Sequence, residues 1–241
     1  MTTKRIFKAA VLVNSISSLD PAFKNAFQEN ITTASRDAQV DFFDPIKTQI
    51  YPEIGEYDLI VLTGGNVADA AAKDIPWLLK MQEFLRATVD KSPMQKIVGV
   101  CWGHQLTHIT FGGTVGSMNE FEVGVTPVTL THEGSAFYSG SFPSNDELRI
   151  HQFHEREVKV PGKGFVALAE NNQCLVNAAN TILTFQGHPE MSAELSKLLL
   201  EDTPKYKGQS EEEIEVLDSK INRPHDGIAV WARIIQWAGE A

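Results

Sequence analysis

The chain is short of cysteine, of positive charge and of long apolar runs. Its 241 residues include two cysteines, Cys101 and Cys174. That is too few for a disulfide framework, and their spacing demands no bridge. Lys and Arg number 21 against 31 Asp and Glu, a formal net charge of −10. Such an excess repels nucleic acid and anionic membranes over the whole surface, so neither is expected as a partner. No apolar run reaches the roughly 18 residues needed to cross a bilayer. The start only briefly resembles a signal peptide. Lys4 and Arg5 precede an apolar stretch, but Lys8 interrupts it and no small-residue cleavage site follows before Asn14. A first buried strand over Ile6–Val13 is the better reading. A soluble, reduced, cytoplasmic protein is expected. Repeats, low-complexity segments and linkers long enough to divide domains are also missing. Residues 1–241 are therefore expected to form a single domain, with 191–241 as its C-terminal helical part.

What is present is ordinary globular composition, 42% hydrophobic and 22% charged, with short β-rich runs alternating with helical stretches. Strands are expected at Ile6–Val13, Val40–Phe43, Leu59–Leu62 and Ile97–Val100. A helix is expected over Pro21–Ala34, with Asp20 as N-cap and Pro21 at its first position. Another is expected over Pro76–Val89, where Trp77, Leu78, Met81, Phe84, Leu85 and Thr88 form one stripe. After Gly112-Gly113 the pattern changes to successive short strands at Thr114–Leu130, Leu148–His151, Glu157–Val160, Phe165–Ala169, Cys174–Asn177 and Ile182–Phe185. Several of these alternate polar and apolar residues, which points to antiparallel pairing. Helices follow at Ser192–Leu200 (Ser192 as N-cap), from Glu211 onward, and at Gly227–Ala238, with a polar loop over Glu201–Ser210. The acidic run 211–213 reads as a solvated helix start.

The sharpest local feature is Gly99-Val100-Cys101-Trp102-Gly103-His104-Gln105. An apolar strand runs into a cysteine flanked by glycines at −2 and +2, and a helix-like stretch follows at once. This is the spacing of a nucleophile elbow. The helix start would set backbone N–H groups and a positive dipole end beside the sulfur, favouring thiolate. On spacing alone, Cys101 is either a nucleophile or a buried structural cysteine. The second feature, Gln186-Gly187-His188-Pro189-Glu190, follows the strand Ile182–Phe185. By itself it reads as a surface turn. Paired with an elbow cysteine, it offers a base and a group to orient that base, which a thiol nucleophile needs.

Together, Gly-Val-Cys-Trp-Gly-His-Gln at 99–105, Gly-His-Pro-Glu at 187–190 and the Gly64-Gly65 turn resemble the class I, triad-type glutamine amidotransferases over roughly residues 58–190. The resemblance implies an α/β fold of flavodoxin-like kind: an open, mixed, mainly parallel sheet with helices on both faces. It implies hydrolysis of a γ-glutamyl amide through a glutamyl-thioester, with Cys101 as nucleophile, His188 as base and then acid, and Glu190 orienting His188. It implies an oxyanion hole from the backbone amides of Gly65 and Trp102. Gln105 matches a position that helps hold the α-amino and carboxylate end of glutamine, and Trp102 would wall the pocket. The segment Phe153-His154-Glu155-Arg156 stands where the family commonly carries Ser-His-Gly-Asp, and would line the substrate site. His154 and Val158 fit that pattern, whereas Phe153, Glu155 and Arg156 depart from it. Arg156 either pairs with a substrate carboxylate or is a surface charge.

No metal or organic cofactor is implied. His104 with His108 and His151 with His154 have ligand-like spacing, but neither pair has the Glu of H-E-x-x-H or a cysteine partner. Cys174 reads as structural. The implied small-molecule substrate is glutamine or a γ-glutamyl peptide. No synthetase domain and no P-loop fit in the chain, so ammonia would pass to a separate synthetase or acceptor protein. The alternative is a stand-alone γ-glutamyl peptidase acting on glutathione-like conjugates. A non-catalytic binding protein of the same fold is a third class, disfavoured by intact Cys101, His188 and Glu190. The chaperone and deglycase branch shares an elbow cysteine but lacks a Gly-His-Pro-Glu ending.

Overall fold

Branched apolar residues in runs of four or five set the centre of the fold. A computed structural model describes residues 5–141, 146–206 and 210–240. In it, β1 (Lys8–Leu12), β2 (Gln39–Phe43), β3 (Leu59–Leu62), β4 (Lys96–Val100) and β9 (Ile182–Phe185) pair in parallel in the order β2-β1-β3-β4-β9. Strands β8 (Cys174–Asn177) and β7 (Phe165–Ala169) extend the β9 edge antiparallel, completing a seven-stranded sheet. The strand order reverses between β1 and β3, the flavodoxin-like switch point, and open α/β sheets hold ligands outside the carboxyl ends of strands at such a point.

Both faces of the sheet are covered, so its central strands are apolar throughout rather than alternating. On one face Ala9, Val11, Leu59, Val61, Val98 and Val100 pack with Phe27 and Ile31 of α1 (Asp20–Ala34) and with Trp231, Ile234 and Trp237 of α7 (Gly227–Ala238). On the other, Ala10, Leu12, Ile60, Leu62 and Ile97 meet Leu78, Met81 and Leu85 of α2 (Pro76–Lys91) and Trp102 and Leu106 of α3 (Trp102–Thr110). A separate antiparallel ribbon, β5 (Thr114–Thr129) with β6 (Glu147–Val160), rises beside this sandwich. It carries residues 153–156 to the carboxyl end of the sheet.

The expected strands and helices are present with shifted ends, and four points differ. Asp20 is the first residue of α1 rather than its cap, since Leu19 takes that position without a side-chain bond and Pro21 still falls in the first turn. The strands expected at Leu148–His151 and Glu157–Val160 are one strand, β6, because register shifts against β5 let the intervening polar residues stay paired. Helix α4 (His132–Phe137), capped by the Thr131 hydroxyl accepting from Gly134 N–H, is too short and Gly-interrupted to show periodicity. The polar 201–210 stretch begins as the end of α5 (Ala193–Asp202) and continues as a 3-10 turn at Pro204–Tyr206. Ser192 caps α5 as expected, and Ser210 opens α6 (Glu211–Ile221) with a capping box to Glu213. Lys4 of the chain start and residues 207–209 of the polar loop lie outside the described residues. Among the described residues no helix is long and apolar enough to cross a membrane.

Candidate active site

Strand β4 is wholly buried and ends at Val100, and the chain turns into α3 through Cys101 with φ 49° and ψ −104°. A side chain other than glycine at positive φ is strained, more so outside the left-handed helical well, and such strain concentrates at functional positions. The turn is pinned on both sides: Cys101 N–H donates to Phe185 O at 2.8 Å, and Gln105 N–H donates to Cys101 O at 3.0 Å. Gly103 is required by close approach, because a methyl group there would overlap the Leu62 carbonyl of β3. The result lifts the sulfur out of the sheet into a cleft while 8% of the residue stays exposed. The thiol is within 4.0 Å of Phe153 O on β6. Trp102 is the first residue of α3, so its N–H is among the amides that a helix leaves without an intrahelical partner.

His188 is carried by the turn after β9. Its N–H donates to His151 O at 2.8 Å, tying the turn to β6. Its Nδ1 lies 2.8 Å from Glu190 Oε1, and both side chains are buried. Cys101 and His188 converge on Gly64: a Cβ there would stand 2.8 Å from His188 Cε1 and 3.3 Å from Cys101 Cβ. Burial alone would push the His188 pKa down. The Glu190 carboxylate and the Cys101 sulfur outweigh burial and raise it above the ordinary histidine value. The elbow cysteine and the Gly-His-Pro-Glu pair, far apart in the chain, are therefore neighbours with acid–base coupling.

The Gly64-Gly65 turn follows β3 and is held by a residue that the sequence did not single out. Asn14, just past β1, donates from its backbone to Thr63 Oγ1 at 2.9 Å and from Nδ2 to Thr63 O at 3.0 Å. A side chain on Gly65 would overlap the Asn14 carbonyl, so only glycine lets these two loops touch. A polar residue directly after a buried strand at the switch point was the available signal.

Cys101, Gly65, Trp102, Gln105, Phe153, His154, Glu155, Arg156 and His188 all line one cavity of about 770 Å³. Gln105 Nε2 donates to Arg156 O at 3.0 Å and lies 3.3 Å from Gln186 Oε1. Arg156 is ion-paired with Asp69 at 2.8 Å, bridging β6 to the loop after β3. His154 has both ring nitrogens engaged, Nδ1 with Arg156 O at 3.2 Å, and Nε2 with Gln152 Oε1 at 2.9 Å and the Glu122 carboxylate at 3.0 Å. Its contacts brace the 153–156 segment. Asp69 and Glu122 had no sequence signal, since both partnerships depend on where the β5–β6 ribbon docks.

The remaining histidines and Cys174 lie elsewhere. His108 contacts Thr184 Oγ1 at 3.1 Å and accepts from Gly162 N–H at 3.0 Å, and burial pushes its pKa down to about 3. His104 stacks edge-on against His108, fully buried. His151 packs edge-on against His225. Among the described residues no group of three or more His, Cys, Asp or Glu could hold a metal ion. Cys174 is buried beside the Tyr138 hydroxyl, and burial pushes its thiol up to about 12, the condition of an inert cysteine.

Comparison with known proteins gives the family and the fold. The family model for glutamine amidotransferase class-I matches residues 22–203. The glutamine amidotransferase-like protein chyE of Penicillium rubens is 37% identical over 238 residues, 97% of each chain. Gamma-glutamyl peptidase 2 of Arabidopsis thaliana is 24% identical over 176 residues, 71% of this chain and 68% of that one. A glutamine amidotransferase from Thermotoga maritima has the same fold, with a TM-score of 0.73 at 21% identity over 98% of this chain and all of the other.

Proposed function

The chain belongs to the class I glutamine amidotransferase family, and we propose that it hydrolyses a γ-glutamyl amide through a thioester on Cys101. The observation that carries this reading is the strained Cys101 backbone beside a buried His188–Glu190 pair. The Cys101 sulfur attacks the γ-carbonyl, and its proton passes to His188. The carbonyl oxygen, now negative, is met by the N–H groups of Gly65 and Trp102, donors worth roughly 3 kcal/mol each in comparable sites. His188 gives its proton to the departing nitrogen, the C–N bond breaks, and the thioester remains. Water, deprotonated by His188, adds to the thioester carbonyl. The C–S bond then breaks, the thiol regains its proton and glutamate leaves. Glu190 holds His188 in orientation and stabilises its charged form. Gln105, His154, Glu155 and Arg156 shape the site for the α-amino and α-carboxylate end, and Phe153 lines the same substrate cavity. None of these steps calls on a metal or organic cofactor.

With glutamine as substrate the released nitrogen is ammonia, handed to a separate acceptor or synthetase protein. Residues 1–241 act as one domain in this reading: α7 of the 191–241 part shares an apolar cluster with β1, β3 and β4. A reduced, cytoplasmic setting suits a working thiol. The size of the cavity favours a second form of the same chemistry, a stand-alone γ-glutamyl peptidase releasing a larger amine. Glutamate release from glutamine, glutathione and a γ-glutamyl dipeptide, each with Cys101→Ala as control, tests the reading. Turnover lost in Cys101→Ala supports it, and turnover kept in that variant refutes it. Glutamine as the best of the three favours the ammonia donor, and the peptides favour the peptidase.

A further inference from the structure

The catalytic cavity is much larger and more aromatic than glutamine requires. At about 770 Å³ it falls in the range of about 300–1,000 Å³ that houses drug-sized ligands. Its lining has two characters. Around Gln105 and the Asp69–Arg156 ion pair it is polar, suited to an amino-acid zwitterion. The same lining carries five phenylalanines among polar residues such as Ser15, Lys24 and Thr203: Phe23 and the buried Phe27 from α1, Phe42 from β2, and Phe121 and Phe153 from the ribbon. Five of the 13 phenylalanines in the chain thus face one cavity. Ammonia and glutamine gain nothing from such a wall, because apolar surface favours only apolar surface.

The aromatic wall is also prebuilt. Phe121 lies edge-on to Phe153 at 5.2 Å and to Tyr206 at 5.6 Å, and the Lys205 ammonium sits 4.6 Å above its ring. The backbone carbonyl of Phe153 also touches the nucleophile. Phe121 and Phe153 line the same cavity as Cys101, so a group attached to the scissile nitrogen meets a braced aromatic surface, which limits the ordering cost of binding.

We propose that the preferred substrate is a γ-glutamyl amide whose amine carries a bulky aromatic group, seated on Phe121 and Phe153 while the glutamyl end occupies the polar pole. The proposal rests on γ-glutamyl hydrolysis at Cys101 and names the leaving amine for it. Hydrolysis breaks the amide C–N bond, and water supplies the oxygen and protons that yield glutamate and the free aromatic amine.

The test compares γ-glutamyl-benzylamide with γ-glutamyl-methylamide, two alkylamides of similar intrinsic reactivity, by glutamate release from the full chain. The expected result is a kcat/KM at least about tenfold higher for the benzylamide, carried mainly by KM. In Phe121→Ala that ratio falls toward one, and in Phe121→Leu it falls part-way. Measuring both amides on the same variant cancels any loss of folded protein. Equal kcat/KM for the two amides in the wild-type chain, or a ratio untouched in Phe121→Ala, overturns the proposal and leaves γ-glutamyl hydrolysis standing. Release from neither amide nor from glutamine overturns both.

Discussion

In the proposed mechanism three side chains share the chemistry unequally: His188 moves protons, whereas Glu190 acts on His188 through the 2.8 Å contact between Nδ1 and Oε1. Replacing His188 with Ala is expected to lower kcat by roughly a thousandfold or more, and Glu190→Gln by less, because an orienting amide still fills the space. Steady-state rates of the two variants on one substrate check this, and an equal or greater loss in Glu190→Gln contradicts the assigned roles. At this scale the sequence was informative where chemistry and backbone geometry coincide. Cys101 stood out through its glycine neighbours, and His188 and Glu190 through their place after a strand. Asn14 carried only the faint signal of a polar residue after a buried strand, and Asp69 none, because each acts through a partner distant in the chain: Asn14 on Thr63, Asp69 on Arg156.

Among the elements, the β4–α3 elbow depends most on one small residue. Gly103 brings α3 against the Leu62 carbonyl of β3, and Trp102 presents its amide from the same turn. Gly103→Ala is expected to push α3 off the sheet, costing about 1–3 kcal/mol of stability as overpacking usually does. It should also cut kcat by roughly tenfold or more through a displaced Trp102 N–H. Thermal unfolding and kcat together check it, and a wild-type kcat in a destabilised variant would detach the elbow from the oxyanion site. The apolar runs of the parallel strands and the Ser192 cap of α5 were legible because local sequence decides them. Fusion of two expected strands into β6 was not, since the mostly polar 152–156 stretch is kept in the strand by pairing with β5 across register shifts. Helix α4 was hidden by its six residues, too few for a stripe to show.

Across the whole molecule, buried histidines set the response to acid. Burial pushes both His108 and His151 down to about 3, and both are fully covered. Their folded values lie below the ordinary 6.5, so the stability they contribute is complete above pH 6.5 and is lost as pH falls toward about 3. Each group steepens that loss by about 1.4 kcal/mol per pH unit. His188 has the opposite sign: its folded value is raised, so its contribution is complete below 6.5 and fades on the alkaline side. Among the described residues neither His151 ring nitrogen has a hydrogen-bond partner, which makes His151→Phe a mild replacement. Urea unfolding between pH 7 and 4.5 should show a shallower decline in that variant than in the parent chain. Identical slopes would remove His151 from the acid response. The α/β class and the two covered faces were readable in the alternation of short apolar strands and helices, and the flavodoxin-like sheet was what the resemblance implied. The aromatic wall of the cavity was not, because its phenylalanines come from α1, β2, β5 and β6 and meet only in the folded chain.

The central claim is the covalent one, and trapping tests it most directly. The full chain is mixed with a γ-glutamyl amide, quenched in acid within a fraction of a turnover, and digested for mass spectrometry. A γ-glutamyl adduct on the peptide carrying Cys101, absent in Cys101→Ala and raised when the water step is slowed, is the predicted result. Turnover with no adduct on Cys101, or with the adduct on Cys174, would contradict the mechanism.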